Sequence, residues 1–238
     1  MSLLTIVQDV SDRIGIPRPT QVVGSSDNQI RMLLSLAQQE GKEVAERFGW
    51  QACTLESTFT TTATEEQTAV IPTDFSRLIE GTLYNRTHHR PVVGPLTPQR
   101  WQQMKSLLTV SIWSAFRIRG NSLLLTPTPA AGDTIYFEYV STYWCGGASD
   151  TVPTQAAWVA DTDVGFINEE LMTLGVQWRY LRARGLDYAE PFRLYEEMFQ
   201  RKSGADGGNR ILDLSPDNIG AGWFDPYIQD GKIGRAHV

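Results

Sequence analysis

The chain has 238 residues, of which 41% are hydrophobic and 20% are charged. This length and composition predict one large domain, or one domain with a sizeable insertion, and exclude a chain that is disordered throughout. The formal net charge is −6, and no run of Lys or Arg is present. Because proteins that grip nucleic acid through its phosphates are usually basic, the sequence argues against dedicated DNA binding.

The sequence contains no evident targeting or membrane segment. The first ten residues lack the basic start and long apolar run of a signal peptide, and no apolar stretch approaches the ~20 residues that span a bilayer. We therefore expect synthesis in the cytoplasm and no membrane partner. The two cysteines, Cys53 and Cys145, form no CxxC motif and predict buried thiols in a reducing compartment.

Two helices are predicted near the N-terminus. Apolar residues recur at helical spacing over residues 2–14, where a glycine follows, and again over residues 30–48. Ser26 and Gln29 have the spacing of a capping box, and Gly49 has the position of a left-handed helix stop.

The middle of the sequence predicts a β-rich module. A short helix is expected to begin at Thr97-Pro98, and a hairpin is expected to turn at Gly120-Asn121 between residues 116 and 126. The other stretches with a strand pattern are residues 54–64, 69–71, 78–85 and 134–143.

Helical spacing returns after Asp163, which we interpret as an N-cap, and Gly185 ends that helix. Asp187 and Glu190 have the spacing of another capping box, before a helix that ends near Gly204. The order of elements is therefore helix, helix, β-rich insert, helix, helix.

Each predicted helix carries one apolar stripe that needs a packing partner. The simplest solution is an α+β fold in which a four-helix bundle is built from residues 1–50 and 151–204. Residues 51–150 form an inserted β-rich domain, and residues 205–238 form an extended C-terminal arm.

The predicted arm combines residues that interrupt helices and strands with large apolar residues that could anchor it to a partner. Its glycines and prolines leave no helical or strand period, yet it keeps large hydrophobic residues that a disordered tail normally lacks. An extended segment that adheres to a partner explains both features. The alternative, in which the segment wraps its own domain, stays open. The predicted anchors are Ile211, Leu214, Trp223, Phe224, Tyr227 and Ile228.

No catalytic, cofactor-binding or metal-binding residue is predicted. The sequence lacks GxSxG, Walker-type, HExxH and GxGxxG motifs. His88 and His89 are adjacent, so their side chains diverge, and we expect them in a solvated turn. His237 lies in the predicted arm.

Charged residues near the third and fourth long helices predict structural roles. Asp161 and Asp163 precede a predicted helix, where carboxylates favour the positive end of the helix dipole, and Glu169 and Glu170 diverge on its surface. Four arginines interleave with glutamates and predict a salt-bridged face, within one subunit or between subunits: Arg179, Arg182, Arg184 and Arg193 with Glu190, Glu196 and Glu197. Four more in the β-rich region are expected to be solvent-exposed rather than bound to DNA or a partner protein: Arg86, Arg90, Arg117 and Arg119.

Several stretches together carry a family resemblance. They are MSLLTIVQDV at residues 1–10, DRIGIPRP at 12–19, AQQEG at 37–41, LYNR at 83–86, RPVVGPLTPQ at 90–99 with Trp101, and FEYV at 137–140. Over residues 1 to about 200 the sequence resembles the head-to-tail adaptor proteins, also called connector or head-completion proteins, of short-tailed, podovirus-like bacteriophages.

The resemblance implies a structural, non-enzymatic virion protein at the head–tail neck. It implies a dodecameric ring docked beneath the portal protein, with a tail tube or nozzle protein on the distal side. DNA would pass through the lumen without sequence-specific binding. Residues 205–238 would be the portal-binding arm, and residues ~51–145 would face the tail or neighbouring subunits.

Two alternatives remain from the sequence. The first is another neck, tail-tube or tail-completion component, which differs in copy number and neighbours. The second is a tail-associated hydrolase that uses Asp133 and Glu138, although nothing in the sequence pairs those carboxylates at the ~5–9.5 Å that glycoside hydrolysis requires.

Overall fold

The computed structural model describes residues 2–106 and 113–207. Within these ranges the fold mixes helices with several antiparallel sheets, which agrees with a mixed class. The helices are α1 (Leu3–Ile14), α2 (Asn28–Arg47), α3 (Pro98–Ser106), α4 (Glu169–Ala183) and α5 (Ala189–Asp206), with a 3-10 turn at Gln51–Cys53. The strands are β1 (Thr54–Thr60), β2 (Glu66–Gln67), β3 (Phe75–Leu78), β4 (Tyr84–Asn85), β5 (Arg90–Pro91), β6 (Ala115–Arg119), β7 (Ser122–Thr126), β8 (Thr134–Ser141), β9 (Cys145–Gly146) and β10 (Val164–Gly165).

Contacts divide the described chain into two compact units. The helical unit comprises residues 2–55, 74–77 and 140–207, and the β unit comprises residues 56–73, 78–106 and 113–139. The domain boundaries drawn from the sequence stay a prediction.

Helix α4 is the centre of the helical unit, since it packs against α1, α2 and α5. Helix α1 has the predicted extent: the Ser2 hydroxyl accepts a hydrogen bond from the Thr5 amide, and Gly15 ends the helix with a φ of 72°. The four long helices are thus in mutual contact through α4, while their arrangement as a four-helix bundle stays a prediction.

Three predicted helix starts are wrong. Helix α5 has Tyr188 as its N-cap residue, with no side-chain cap hydrogen bond, so Asp187 and Glu190 do not form the predicted capping box. Helix α2 is capped by Asp27, whose Oδ1 accepts a hydrogen bond from the Gln29 amide at 2.7 Å, so Ser26 lies one residue too early to be the cap. Helix α4 is capped by Asn168, which accepts from the Leu171 amide, and not by Asp163. Several Asp, Asn or Ser residues precede each of helices α2 and α4, and spacing alone did not identify the one that caps the helix.

The predicted left-handed stop at Gly49 is also wrong. Helix α2 ends at Arg47, and the next residue, Phe48, is extended with a φ of −142°. A Cβ added at Gly49 would lie 2.6 Å from Nη2 of Arg77. Gly49 has no positive φ, and the close contact of an added Cβ would be with the far end of the flexible Arg77 side chain.

Two sheets contain most of the strands. One has the order β1-β8-β4-β5, with β3 also paired to β8, and the other has the order β2-β7-β6. The β6–β7 hairpin is confirmed, and its turn contains Gly120 with a φ of 60°. Strand β8 shows the predicted alternation up to Tyr139, since Ile135, Phe137 and Tyr139 are buried, and the alternation ends at Val140, which is buried too.

Two predicted strands are wrong. Residues 69–71 are irregular, and Ala69 has a positive φ of 56°. Residues 78–85 contain only the end of β3 and all of β4, separated by a turn. In that turn Gly81 has a φ of 77° and the Thr82 hydroxyl donates to the Ile79 carbonyl at 2.7 Å. The alternating pattern was therefore interrupted by local turn chemistry.

A tryptophan lies in the core of the helical unit beside a helix α2 glycine. Trp144 is buried, packs edge-on against Trp158 at 4.9 Å, and donates its Nε1 proton to the Ala156 carbonyl. A Cβ added at Gly41 would lie 2.2 Å from Cη2 of Trp144. Only a glycine at this position of α2 leaves room for the indole.

Candidate interaction surface

The predicted arm falls almost wholly outside the described residues. Its first two residues, 205 and 206, form the end of α5. The side chain of Asp206 accepts a hydrogen bond from the Gln51 amide at 2.8 Å. The six predicted anchors lie outside the described residues: Ile211, Leu214, Trp223, Phe224, Tyr227 and Ile228.

An exposed apolar cluster lies where α4 turns into α5. Gly185 ends α4 with a φ of 70°, and Asp187 accepts a hydrogen bond from the Ala189 amide at 3.0 Å. Of eight exposed large hydrophobic residues in the described ranges, four fall within residues 186–194, so exposed apolar side chains are concentrated at this turn. The four exposed residues are Leu186, Tyr188, Phe192 and Leu194. Together with the neighbouring Arg182 and Arg184, we call them the hairpin surface.

Aromatic packing holds the hairpin surface in place. Trp178 is buried and lies edge-on to Phe192, with ring centroids 5.0 Å apart. Tyr188 and Tyr195 lie 6.4 and 6.0 Å from the same ring. Aromatic pairs in this geometry contribute about 0.5–1.5 kcal/mol each beyond their buried area. The exposed rings therefore stand on a rigid base.

A buried ion pair joins α2 to α4 beneath this surface. The Nε of Arg179 lies 2.6 Å from Oε2 of Glu40, and its Nη2 lies 2.9 Å from Oε2 of Glu43. Glu40 is completely buried, and burial raises the pKa of its carboxyl group even though Arg179 opposes that shift. A Cβ at Gly175 would lie 2.2 Å from the Glu40 carboxyl carbon, so the two helices approach closely here.

The pairing of Glu40 with Arg179 was not predicted from the sequence, because 139 residues separate them. One signal was available. Glu40 lies on the apolar stripe of α2, three residues after Ala37 and four before Val44. A carboxylate at such a position needs a cationic or protonated partner inside the core.

The arginine-rich face is confirmed only in part as a salt-bridged one. Arg193 pairs with Glu190 at 2.5 Å and also with Glu197. In contrast, no carboxylate lies within 4.0 Å of Arg182 or Arg184 in residues 2–106 and 113–207; their guanidinium groups lie over the rings of Trp178 and Tyr180, at 6.0 and 5.3 Å. Two cationic groups on the hairpin surface thus lack acidic partners in the described part of the chain.

Acidic residues before α4 serve loops and not the helix. The Asp161 side chain accepts hydrogen bonds from the Val22 and Val23 amides, at 2.7 Å for the latter. The Asp163 side chain accepts from the Val159 and Ala160 amides at 2.7 and 2.8 Å. The helix-end role predicted for this pair is therefore wrong: the first turn of α4 contains the other two acids of the set, Glu169 and Glu170.

The two adjacent histidines lie in an exposed turn, as predicted. Nε2 of His88 is 3.1 Å from Oδ1 of Asp133, a residue that is buried and also accepts a hydrogen bond from Asn85. These residues line part of a cavity of about 210 Å³ in the β unit. No group of three or more residues suited to holding a metal ion occurs in the described ranges.

The geometry of β8 argues against the hydrolase alternative. Glu138 lies on β8 and Asp133 just before it, and an extended chain of this length spans about 17 Å between the Cα atoms. That separation exceeds the ~5–9.5 Å required of a glycosidase pair.

The arginines of the β unit divide into two groups. Arg86 forms an ion pair with Glu56 and stacks on Tyr136, and Arg119 lies 3.7 Å from Glu66. Within the two described ranges, Arg90 and Arg117 have no carboxylate within 4.0 Å. This arrangement offers no continuous basic strip for a phosphate backbone.

Both cysteines are buried free thiols. Burial raises the pKa of Cys53 to about 11 and that of Cys145 to about 12, so little reactive thiolate exists near neutral pH. We expect native protein at pH 8 to react with a disulfide reagent such as DTNB at least ~100-fold more slowly than urea-unfolded protein. Fast labelling of either thiol in the native state would contradict the burial seen here.

The surface features described above are typical of a protein that acts through contacts with other proteins. The described residues present exposed apolar and charged surfaces, and of the two carboxylates considered for hydrolysis Asp133 accepts a hydrogen bond from Asn85. No described helix is long and apolar enough to cross a membrane.

Comparison with known families supports the same class. The model of the SU10 adaptor protein family matches residues 1–216, and the chain belongs to that family. Its membership confirms the resemblance to phage head-to-tail adaptors and supports a structural adaptor of a bacteriophage particle. A search of curated proteins gave no match.

Proposed function

We propose that this chain is the head-to-tail adaptor of a bacteriophage, located at the virion neck and forming a dodecameric ring between portal and tail. The family match over residues 1–216 is the observation that carries the proposal. The ring would contact the portal protein on one side and a tail tube or nozzle protein on the other. DNA would pass through its lumen without sequence-specific binding, which suits a net charge of −6.

The parts of the chain are assigned as follows in this proposal. The helical bundle of residues 1–50 and 151–204 forms the ring, and the β-rich domain of residues 51–150 faces the tail or neighbouring subunits. Residues 205–238 bind the portal through their six apolar anchors. An arm that acquires its contacts only on a portal makes assembly sequential, because the cost of ordering is met when the portal surface is present.

A second structural function differs only in neighbours. Another neck, tail-tube or tail-completion protein would use the same kinds of surface. Imaging of rings with and without portal distinguishes the two, since an adaptor binds the portal directly.

Truncation tests the arm. Because Asp206 binds the Gln51 amide, the cut is placed after Gly207, where the described helical unit is kept whole. We expect the truncated protein to fold with an unchanged circular dichroism spectrum and to lose portal binding in a pull-down with purified portal rings.

Side-chain substitutions separate the anchors from the length of the arm. Replacing Trp223, Phe224 and Tyr227 with Ala should weaken portal binding by at least ~100-fold, because buried aromatic anchors dominate interface energies. The matched control replaces Asn209, Asn218 and Gln229 with Ala and should bind as the unmodified chain does. Normal docking of the truncated chain would refute the portal-binding role of residues 208–238.

A further inference from the structure

The hairpin surface has the composition of an interface centre with uncompensated charge. Its four apolar side chains are exposed on α5 and the preceding turn, and its two arginines have no carboxylate within 4.0 Å in the described ranges. Arg182 also lines a groove of about 350 Å³ with Leu36 and Trp178. Arginine and aromatic residues are enriched in protein interfaces, and a partner that buries these guanidinium groups must supply carboxylates.

A complementary surface exists in the β unit. On β8, Glu138 is exposed between the buried Phe137 and Tyr139. Its amide donates to the Thr82 hydroxyl and its carbonyl accepts from the Ile79 amide, which brings Glu138 beside the turn that contains the exposed Glu80. No cationic group lies within 4.0 Å of either carboxylate in the part of the chain described. We call Glu80 and Glu138 the strand surface.

We propose that the hairpin surface of one copy docks on the strand surface of a second copy of this chain. The inference rests on the proposed function, because a closed ring requires each subunit to offer two different surfaces that fit each other. The apolar residues at 186–194 supply buried area at the centre of the contact. The Arg182 and Arg184 pairs with Glu80 and Glu138 set its orientation and register.

Complementary charge reversal tests the pairing in the full-length protein. Sedimentation velocity from about 1 to 500 µM measures self-association. We expect R182E/R184E to weaken it at least tenfold, because like charges would then face each other, and E80K/E138K to weaken it as much. An equimolar mixture of the two variants should recover association, since each contact in the mixture again joins opposite charges.

A matched control isolates position from net charge. The variant R13E/R31E reverses two exposed arginines of the same unit and should associate as the unmodified chain does. The proposal is overturned if the unmodified chain stays monomeric at every concentration, or if the mixture fails to recover association. Loss of association in R182E/R184E alone, with E80K/E138K unaffected, also overturns the proposal, because the hairpin surface would then bind a surface other than the strand surface.

The outcome separates this inference from the proposed function. Charge-reversal variants that still associate normally, while the chain is found at the particle neck, defeat only the assignment of the two surfaces. A chain that associates through them but never binds portal or tail protein would defeat the adaptor function and leave the interface standing.

Discussion

Replacing Arg179 with Met is expected to destabilise the helical unit by about 3–5 kcal/mol, because the buried Glu40 then loses its cationic partner. The side chain of Met keeps most of the buried volume, so the loss reports the charge and not a cavity. Urea denaturation followed by tryptophan fluorescence measures the change.

The pH dependence of this variant has a defined sign. Burial raises the folded-state pKa of Glu40 above its unfolded value, and loss of Arg179 removes the largest opposing influence. The neutral carboxyl is then favoured in the folded protein, so stability is highest below the unfolded pKa and falls as pH rises through the folded pKa. We therefore expect the Arg179→Met defect to be larger at pH 8 than at pH 5.

Two comparisons make the result decisive. Arg193→Met removes exposed ion pairs with Glu190 and Glu197 and should change stability little. The double variant Glu40→Leu/Arg179→Met should recover most of the loss, because it leaves no unpaired buried charge. Equal losses for Arg179→Met and Arg193→Met would show that the buried pair has no special role.

Gly41→Ala is expected to reduce the free energy of unfolding by about 1–3 kcal/mol, although alanine is the better helix former by about 1 kcal/mol. The added Cβ would lie 2.2 Å from the Trp144 ring, and that indole is rigidly held between Trp158 and the Ala156 carbonyl. The clash must then shift α2 or the tryptophan. Chemical denaturation gives the size of the loss, and near-ultraviolet circular dichroism reports the tryptophan environment.

Gly204→Ala provides the matched control for this prediction. Gly204 is in α5, and a Cβ there has no neighbour within 4 Å. Its replacement should stabilise the protein by about 0.4–1 kcal/mol through reduced freedom of the unfolded chain. If both alanine variants were stabilised, the close packing of Gly41 on Trp144 would be wrong.

Local signals allowed the sequence to predict much of the fold. Helix α1, the β6–β7 hairpin and strand β8 were predicted because the apolar period of each element and the residues that end it are all found within a short stretch of sequence. The position of helix caps was less certain where several candidates stood in a row. Asp27 and not Ser26 caps helix α2, and the spacing of Ser26 from Gln29 did not show which of the two residues would be the cap.

Long-range contacts explain what the sequence did not predict. Asp163 resembles a helix cap, yet tertiary structure uses it to bind the amides of Val159 and Ala160. The hairpin surface could not be recognised either, because exposure depends on which face of α5 the remainder of the helical unit covers. Phe192 lies at helical spacing with Tyr195 and Phe199, and only its exposure in the structure makes it a candidate for a contact.

The fastening of Asp206 to the Gln51 amide has a mechanical consequence. The hydrogen bond fixes the end of α5 to the helical unit next to the residues that lead into β1. Separating this end of α5 from the helical unit would break this hydrogen bond and expose the buried side chains of Tyr195 and Phe199.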